Sequence, residues 1–247
     1  MAAPDAPAHG GLDPSEDAYG AILMAVLEGR PAFEIIERDD GLIWGGDPSD
    51  YFAPFRRWPA VERRAMRWVR GRVLDVGTGA GRVSLHLQER GHEVVAIDES
   101  PLAVEVARRR GVRDARVCGL ADAGEAMGVF DTVLLLRNNF GLADDGMRAA
   151  PLLERLAAIT SARGRIVTDS VDPARADPVF RDGAPGAPAA PRIRVRWQHR
   201  ATPWFRYLML PPEGLERLVA GTGWRVVRVI DDGSPRFAVV LEKASPP

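Results

Sequence analysis

The chain holds one cysteine, Cys118, and one lysine, Lys243, among 247 residues. A lone cysteine closes no internal disulfide and excludes a zinc site built on several thiolates. Positive charge is carried almost wholly by arginine, and 33 basic residues against 34 acidic ones leave a net charge of −1. That balance offers no global attraction to nucleic acid or to an anionic membrane. No apolar run approaches the roughly 18 residues that a membrane span requires. Residues 1–14 lack both the basic start and the apolar block of a secretory signal. Rich in Ala and Pro, they are expected to be a disordered tail on a cytoplasmic protein. There is no internal repeat and no heptad pattern.

A composition of 46% hydrophobic and 27% charged residues is that of a globular protein with a real core, sized for one large α/β domain with additions. Residues 15–59 form an N-terminal cap segment. It contains a helix over Tyr19–Leu27, stopped by Gly29 and Pro31, then strand-like runs at Phe33–Arg38 and Leu42–Trp44 around an Asp39-Asp40-Gly41 turn. A helix is expected over Ala60–Val69. From Arg72 the pattern alternates: strands at 72–76, 93–97, 115–118, 130–136 and 165–170, and helices at 81–90, 101–110 and 147–160. Continuously apolar strands such as Val133-Leu134-Leu135-Leu136 are those of a parallel sheet buried on both faces, and alternating β and α units give right-handed crossovers. The regularity stops at Asp172. A Pro/Gly/Ala/Asp-rich stretch of about twenty residues follows, a length typical of binding elements and lids. Arg192–Arg200 and Trp204–Leu210 can pair as a hairpin. Pro211–Ala220 then forms a helix, and Trp224–Ile230 and Arg236–Glu242 two closing strands.

The segment richest in chemistry is Val73-Leu74-Asp75-Val76-Gly77-Thr78-Gly79-Ala80-Gly81. A strand enters a glycine loop and a helix leaves it. Glycines permit positive φ and let a ligand lie against bare main chain, while the helix start offers free N–H groups. Such loops sit beyond the carboxyl ends of the strands, where ligands bind in open α/β sheets. The dinucleotide pattern G-x-G-x-x-G/A wants a small residue where this chain has Arg82, and the spacing is instead G-x-G-x-G with Asp75 two residues ahead. Asp98, ending Val94-Val95-Ala96-Ile97, can accept both hydroxyls of a ribose.

These residues resemble class I S-adenosylmethionine-dependent methyltransferases. Val73–Gly81 is similar to their first motif and Asp98 to the acid of their second. Phe130–Leu136 with Arg137-Asn138-Asn139-Phe140-Gly141-Leu142 resembles the fourth-strand motif, and Gly164–Val167 the fifth strand. The resemblance covers roughly residues 60–170 and 212–243. It implies a Rossmann-like, doubly wound, mostly parallel seven-stranded sheet with an antiparallel last strand, in the order 3-2-1-4-5-7-6. Residues 60–247 would then form the methyltransferase domain, with residues 171–210 inserted as a lid that forms a substrate cap with the N-terminal segment. It also implies S-adenosylmethionine as cofactor, bound by Asp75, Gly77, Thr78, Gly79, Gly81, Asp98 and Arg137. One departure stands out. Where many members carry an acid after the third strand, this chain has Cys118-Gly119-Leu120-Ala121-Asp122. Leu120 and Ala121 are assigned backbone contacts and an apolar wall there, with Asp122 as a substitute acid.

The acceptor is expected to be a small molecule, a secondary metabolite among the candidates. His199 is the candidate base, against a bland exposed strand histidine, and Asn138 and Asn139 are the candidate acceptor-orienting amides. Tyr51, Phe52, Phe55, Trp58, Trp197, Trp204 and Phe205 offer aromatic walls. No metal site is expected, because amides stand where metal-dependent relatives carry carboxylates. Three alternatives stay open: a nicotinamide oxidoreductase, an RNA or protein methyltransferase, the nucleic-acid case kept open by Arg192, Arg194 and Arg196 on one strand face, and a cofactor-binding protein with a non-methylating activity.

Overall fold

Strands without a polar face must be covered on both sides, and the computed structural model, which describes residues 11–143, 149–176 and 191–244, covers them so. Five strands of the central sheet are parallel: β3 (Val73–Val76), β4 (Val94–Asp98), β5 (Ala115–Val117), β6 (Phe130–Leu135) and β7 (Thr160–Val171). Two more, β11 (Trp224–Ile230) and β12 (Arg236–Lys243), close it. The order is β11-β12-β7-β6-β3-β4-β5, with β12 antiparallel to both neighbours. This is the expected order 3-2-1-4-5-7-6 and the Rossmann-like α/β class. Helices α3 (Arg82–Glu89), α4 (Pro101–Arg109), α5 (Ala149–Ala158) and α6 (Pro212–Val219) flank the sheet. The helix expected over Ala60–Val69 is shorter: α2 spans Ala60–Ala65 and tightens into a 3₁₀ turn, Met66–Trp68.

The two irregular segments do not remain separate. The expected hairpin forms as β1 (Glu34–Arg38) and β2 (Ile43–Gly46), and β1 also pairs antiparallel with β8 (Arg192–Trp197). With β9 (Arg200–Ala201) and β10 (Phe205–Arg206) they make one antiparallel cap sheet, ordered β10-β8-β1-β2 with β9 on β8. The partners lie more than 150 residues apart, as in the bond from Arg194 to Glu37 (|i−j| = 157). Period-two alternation puts Ile36, Val195 and Trp197 on the inner face, where Val195 and Trp197 pack against α1 (Ala18–Leu27). The outer face carries Glu37, bonded by Arg194 at 2.8 Å and Arg196 at 3.1 Å. The arginine stripe is thus partly neutralised by a carboxylate in its middle. Residues 177–190 of the expected lid, and 1–10 of the expected tail, lie outside the described residues, whereas residues 11–14 are anchored: Leu12 N–H donates to Glu99 O and Pro14 O accepts from Arg200.

Helix α1 is apolar on nearly every side, and Ala18, Ala21, Ile22, Leu23 and Ala25 are all buried. It is wedged between the cap sheet and α4, as such a helix must be. Asp17 locks the wedge. Fully buried, its carboxylate caps α1 through Gly20 N–H (2.9 Å) and accepts Ser100 Oγ–H (2.7 Å) and Leu102 N–H (3.1 Å) at the start of α4. Gly20 makes the room, since a Cβ there would lie 2.1 Å from Ser100 Oγ. Removing Asp17 orphans three donors at two helix starts. Asp17→Ala is expected to cost about 2–4 kcal/mol, read as a lower urea midpoint at unchanged slope. A loss below about 0.5 kcal/mol would mean that water replaces the carboxylate.

Candidate active site

The glycine loop is shaped by main-chain geometry. Gly77, Gly79 and Gly81 have φ of 68°, 54° and 76°, values that side chains resist. Gly77 and Thr78 donate N–H bonds to Ile97 O at 2.8 and 3.0 Å, fastening the loop to β4. Asp75 lies beneath it, buried, accepting Thr78 Oγ1–H at 3.0 Å and Ser84 Oγ–H at 2.6 Å. Burial raises its pKa, and those two bonds oppose the shift. Asp75 therefore binds the loop to the first turn of α3. Asn139 braces the other side: its amide donates to Val76 O at 2.8 Å and Gly77 O at 3.3 Å.

Asp98 ends β4 beside this loop. One oxygen accepts Gly79 N–H at 2.9 Å and the other Ser100 N–H at 3.0 Å. Burial pushes its pKa up to about 7 against those bonds. Each carboxylate oxygen has further lone-pair capacity, so a pair of neighbouring hydroxyl donors suits it. This donor set, beside a loop of bare main chain, fits the ribose of an adenosyl cofactor. Asp98 O also accepts Cys118 N–H at 2.9 Å, which sets the 3₁₀ turn Leu120–Asp122 next to the same strand end. There Leu120 packs on the core, while Ala121 and Asp122 are exposed.

Facing the loop are Tyr51 and Arg137, already singled out from the sequence, with Tyr19, Glu34 and Glu62, which were not. The Tyr19 hydroxyl of α1 stands over Gly79, 2.8 Å from where a Cβ would be. Its ring meets that of Tyr51 edge-on at 5.2 Å. The Tyr51 hydroxyl reaches Glu34 of β1 at 3.3 and 3.4 Å. Arg137 holds its guanidinium 5.3 Å from the Tyr51 ring centre and 3.9 Å from Glu62 of α2. Glu62 is fully buried and paired with Arg82, the first residue of α3. Burial raises the pKa of Tyr19, Tyr51 and Glu34 alike. Both acids had a legible signal: Glu34 interrupts an apolar strand, and Glu62 lies one turn from Trp58 and from Ala65 and Met66.

The candidate catalytic residues fall differently from expectation. Arg137 and Asn138 have φ of 63° and 62°, a strained pair at the end of β6. Their surroundings hold them there: Asn138 N–H donates to Asp169 at 2.7 Å, its side-chain amide to Leu208 O at 3.0 Å, and the Tyr207 hydroxyl to Arg137 O at 3.1 Å. The amide donors of Asn138 and Asn139 thus bond main-chain carbonyls and serve to shape the site. His199 is not brought to it. It is exposed in the Gln198-His199 turn joining β8 to β9, at the end of the cap hairpin where Arg200 meets Pro14. Of the seven aromatic residues, Phe55 and Trp58 pack on His86, Trp197 on α1, Phe52 under Arg110 and Trp204 under Arg194. Tyr51 meets Tyr19 edge-on, and Phe205 lies 6.3 Å from Tyr207. Asp169, the acid nearest the end of β6, is bonded by Arg236. Among the described residues no group of three or more His, Cys, Asp or Glu is placed to hold a metal, and no helix is long and apolar enough to cross a membrane.

Comparison with known proteins agrees with this geometry. A methyltransferase-domain family profile matches residues 73–164. Over the whole fold, the chain superposes with a TM-score of 0.83 on a SAM-dependent methyltransferase from Bacteroides fragilis solved with S-adenosyl-L-homocysteine, at 26% identity over 95% of this chain and 98% of that one. A ubiquinone biosynthesis O-methyltransferase of Azorhizobium caulinodans is 28% identical over 67% of this chain and 63% of its own length. A probable cobalt-precorrin-6B C(15)-methyltransferase of Pyrobaculum aerophilum is 31% identical over 41% and 53%. The chain therefore spans less than two thirds of the length of these two curated relatives.

Proposed function

Because the chain belongs to the class I S-adenosylmethionine-dependent methyltransferases, we propose that it methylates a small molecule held between the glycine loop and the cap sheet. The observation that carries this reading is the cap itself. Both irregular segments join in one sheet whose inner side, with α1, stands over the loop beside Asp98. Residues 15–59 and the described parts of the second segment, 171–176 and 191–210, accordingly act as one substrate cover. Asp75, Gly77, Thr78, Gly79 and Gly81 hold the cofactor against the loop, Asp98 takes its ribose, and Leu120 and Ala121 flank its base. Arg137, reaching toward Tyr51 and Glu62, belongs to the acceptor side, and Asn138 and Asn139 position rather than react.

When bound, S-adenosylmethionine supplies a methyl group on a sulfonium, displaced in line by the acceptor. The protein's task is then to align the acceptor and exclude water. Tyr19, Tyr51 and Tyr207 wall the crevice with large rings whose hydroxyls are directed at Gly79, Glu34 and Arg137 O. A small acceptor suits it better than a polyanion, because Glu37 offsets the arginines on the outer face of the cap. The names of the relatives, ubiquinone biosynthesis and cobalt-precorrin, also point to small molecules.

Calorimetry should show S-adenosylhomocysteine binding with NAD silent. Transfer of labelled methyl to quinol and phenol acceptors should survive excess EDTA, since Arg236 holds Asp169 and, among the described residues, no group of three or more His, Cys, Asp or Glu is placed to hold a metal. Binding of NAD without S-adenosylhomocysteine would overturn the cofactor assignment. Activity lost to EDTA and restored by Mg²⁺ would overturn metal independence.

A further inference from the structure

Glu34 is difficult to explain as scaffold. It is 7% exposed, yet among the described residues no cation lies within ion-pair distance of it. Among the described residues its carboxylate's one hydrogen-bond partner is the Tyr51 hydroxyl, at the long distances of 3.3 and 3.4 Å. A buried carboxylate so weakly served is costly. The cap sheet nevertheless makes room for it: its partner across the ladder is Gly46, where a Cβ would come within 3.0 Å of Glu34 Oε2. From Glu34 the contacts run through Tyr51 to Tyr19, whose hydroxyl stands over Gly79 of the cofactor loop.

Resting on the methyltransferase reading above, we propose that Glu34 faces the transferring methyl group and takes the acceptor's proton. The acceptor is then a hydroxyl or N–H compound. An acceptor with no proton to lose, a thioether or tertiary amine, would gain nothing from this carboxylate. In balance, a lone pair on the acceptor's oxygen or nitrogen forms the new bond to carbon, and the carbon–sulfur pair stays on sulfur as a neutral thioether. The acceptor's O–H or N–H proton passes to a Glu34 oxygen, which releases it to water after product leaves. The groups facing Glu34 are Tyr51 from the 3₁₀ turn Pro48–Phe52, Tyr19 from α1 and Arg137 after β6. Arg38, further along β1 on the same face, is paired with Asp40. Burial raises both tyrosines, which stay neutral in the working range, and raises Glu34 above the ordinary carboxylate range against the Tyr51 hydrogen bond and the Arg137 charge.

The test uses two ligands of defined chemistry and the full chain. S-adenosylhomocysteine is neutral at sulfur. Sinefungin carries a protonated amine on carbon at the place of the methylsulfonium. Glu34→Gln should weaken sinefungin about tenfold and leave S-adenosylhomocysteine within about twofold, whereas Glu34→Asp should restore part of the difference. In the unmodified protein the ratio of the two affinities should favour sinefungin at neutral pH and decline as pH falls through the raised titration of Glu34. Both ligands present the same ribose to Asp98, so its titration cancels in the ratio. Equal weakening of both ligands by Glu34→Gln, an unchanged ratio, or a ratio flat with pH in the unmodified protein would each overturn the proposal. If S-adenosylhomocysteine itself does not bind, the cofactor reading fails as well, and that outcome is separately visible.

Discussion

Asp98→Ala should weaken S-adenosylhomocysteine binding at least tenfold, about 1.4 kcal/mol or more, while the variant stays folded. The carboxylate is positioned by Gly79 and Ser100 N–H bonds and has lone pairs left for two ribose hydroxyls; hydrogen bonds to a charged group are worth about 1.5–3 kcal/mol each. Its titration gives a second signature. Burial pushes the pKa up to about 7 in the free protein, above the ordinary carboxylate value. The folded state therefore holds this proton more tightly than the unfolded chain does. Asp98's contribution to stability is fully present below the unfolded pKa and is lost as pH rises through about 7. Ligand binding runs the other way, because hydroxyls donate to the ionised form. Affinity should rise as pH approaches 7 from below and level off above it, with proton release on binding. Asp98→Asn should remove both slopes. Unchanged affinity in a folded Asp98→Ala variant would take Asp98 out of the site.

The glycine loop and its neighbouring acid were legible because local chemistry determines their geometry. A strand, three glycines at positive φ and an acid at the next strand end lie close in sequence, and each has a physical reason visible in its residue type. The parallel sheet was legible from continuously apolar runs for the same reason. The acceptor half was not. Its cap sheet depends on β1 meeting β8 across more than 150 residues, and no periodicity reports a pairing of that span. His199 drew attention as a histidine beside aromatic residues, but a two-residue turn points it to solvent. Asn138 and Asn139 stood in the right place, yet their donors bond main-chain carbonyls because the strained end of β6 needs support. Arg82, which separated this loop from the dinucleotide pattern, has a reason the loop could not show: it crosses the Trp58 ring at 4.5 Å to reach Glu62.

That contact sets the other large effect. Glu62 is fully buried, with one oxygen on Arg82 and the other without a hydrogen bond, 3.9 Å from Arg137. It joins three pieces that must agree for the site to exist: α2 on the central sheet, the helix leaving the glycine loop, and the strained end of β6. Glu62→Gln leaves Arg82, itself only 6% exposed along its side chain, without a counter-charge. Breaking one partner of a buried pair costs about 3–5 kcal/mol, enough to bring a protein of ordinary stability near unfolding. Urea denaturation should show a loss of that size, and calorimetry a weaker S-adenosylhomocysteine complex as α3 loses its anchor. Replacing both partners, Glu62→Met with Arg82→Met, should recover most of the stability, because an apolar pair of similar volume carries no desolvation cost. Methyl transfer to the acceptor should stay slow in that double variant, since Arg137 then lacks the carboxylate 3.9 Å from it. A loss below about 1 kcal/mol in Glu62→Gln would place it in the range of exposed ion pairs and show that Arg82 finds another partner. Full recovery of methyl transfer in the double variant would instead show that the pair supports the fold and not the site.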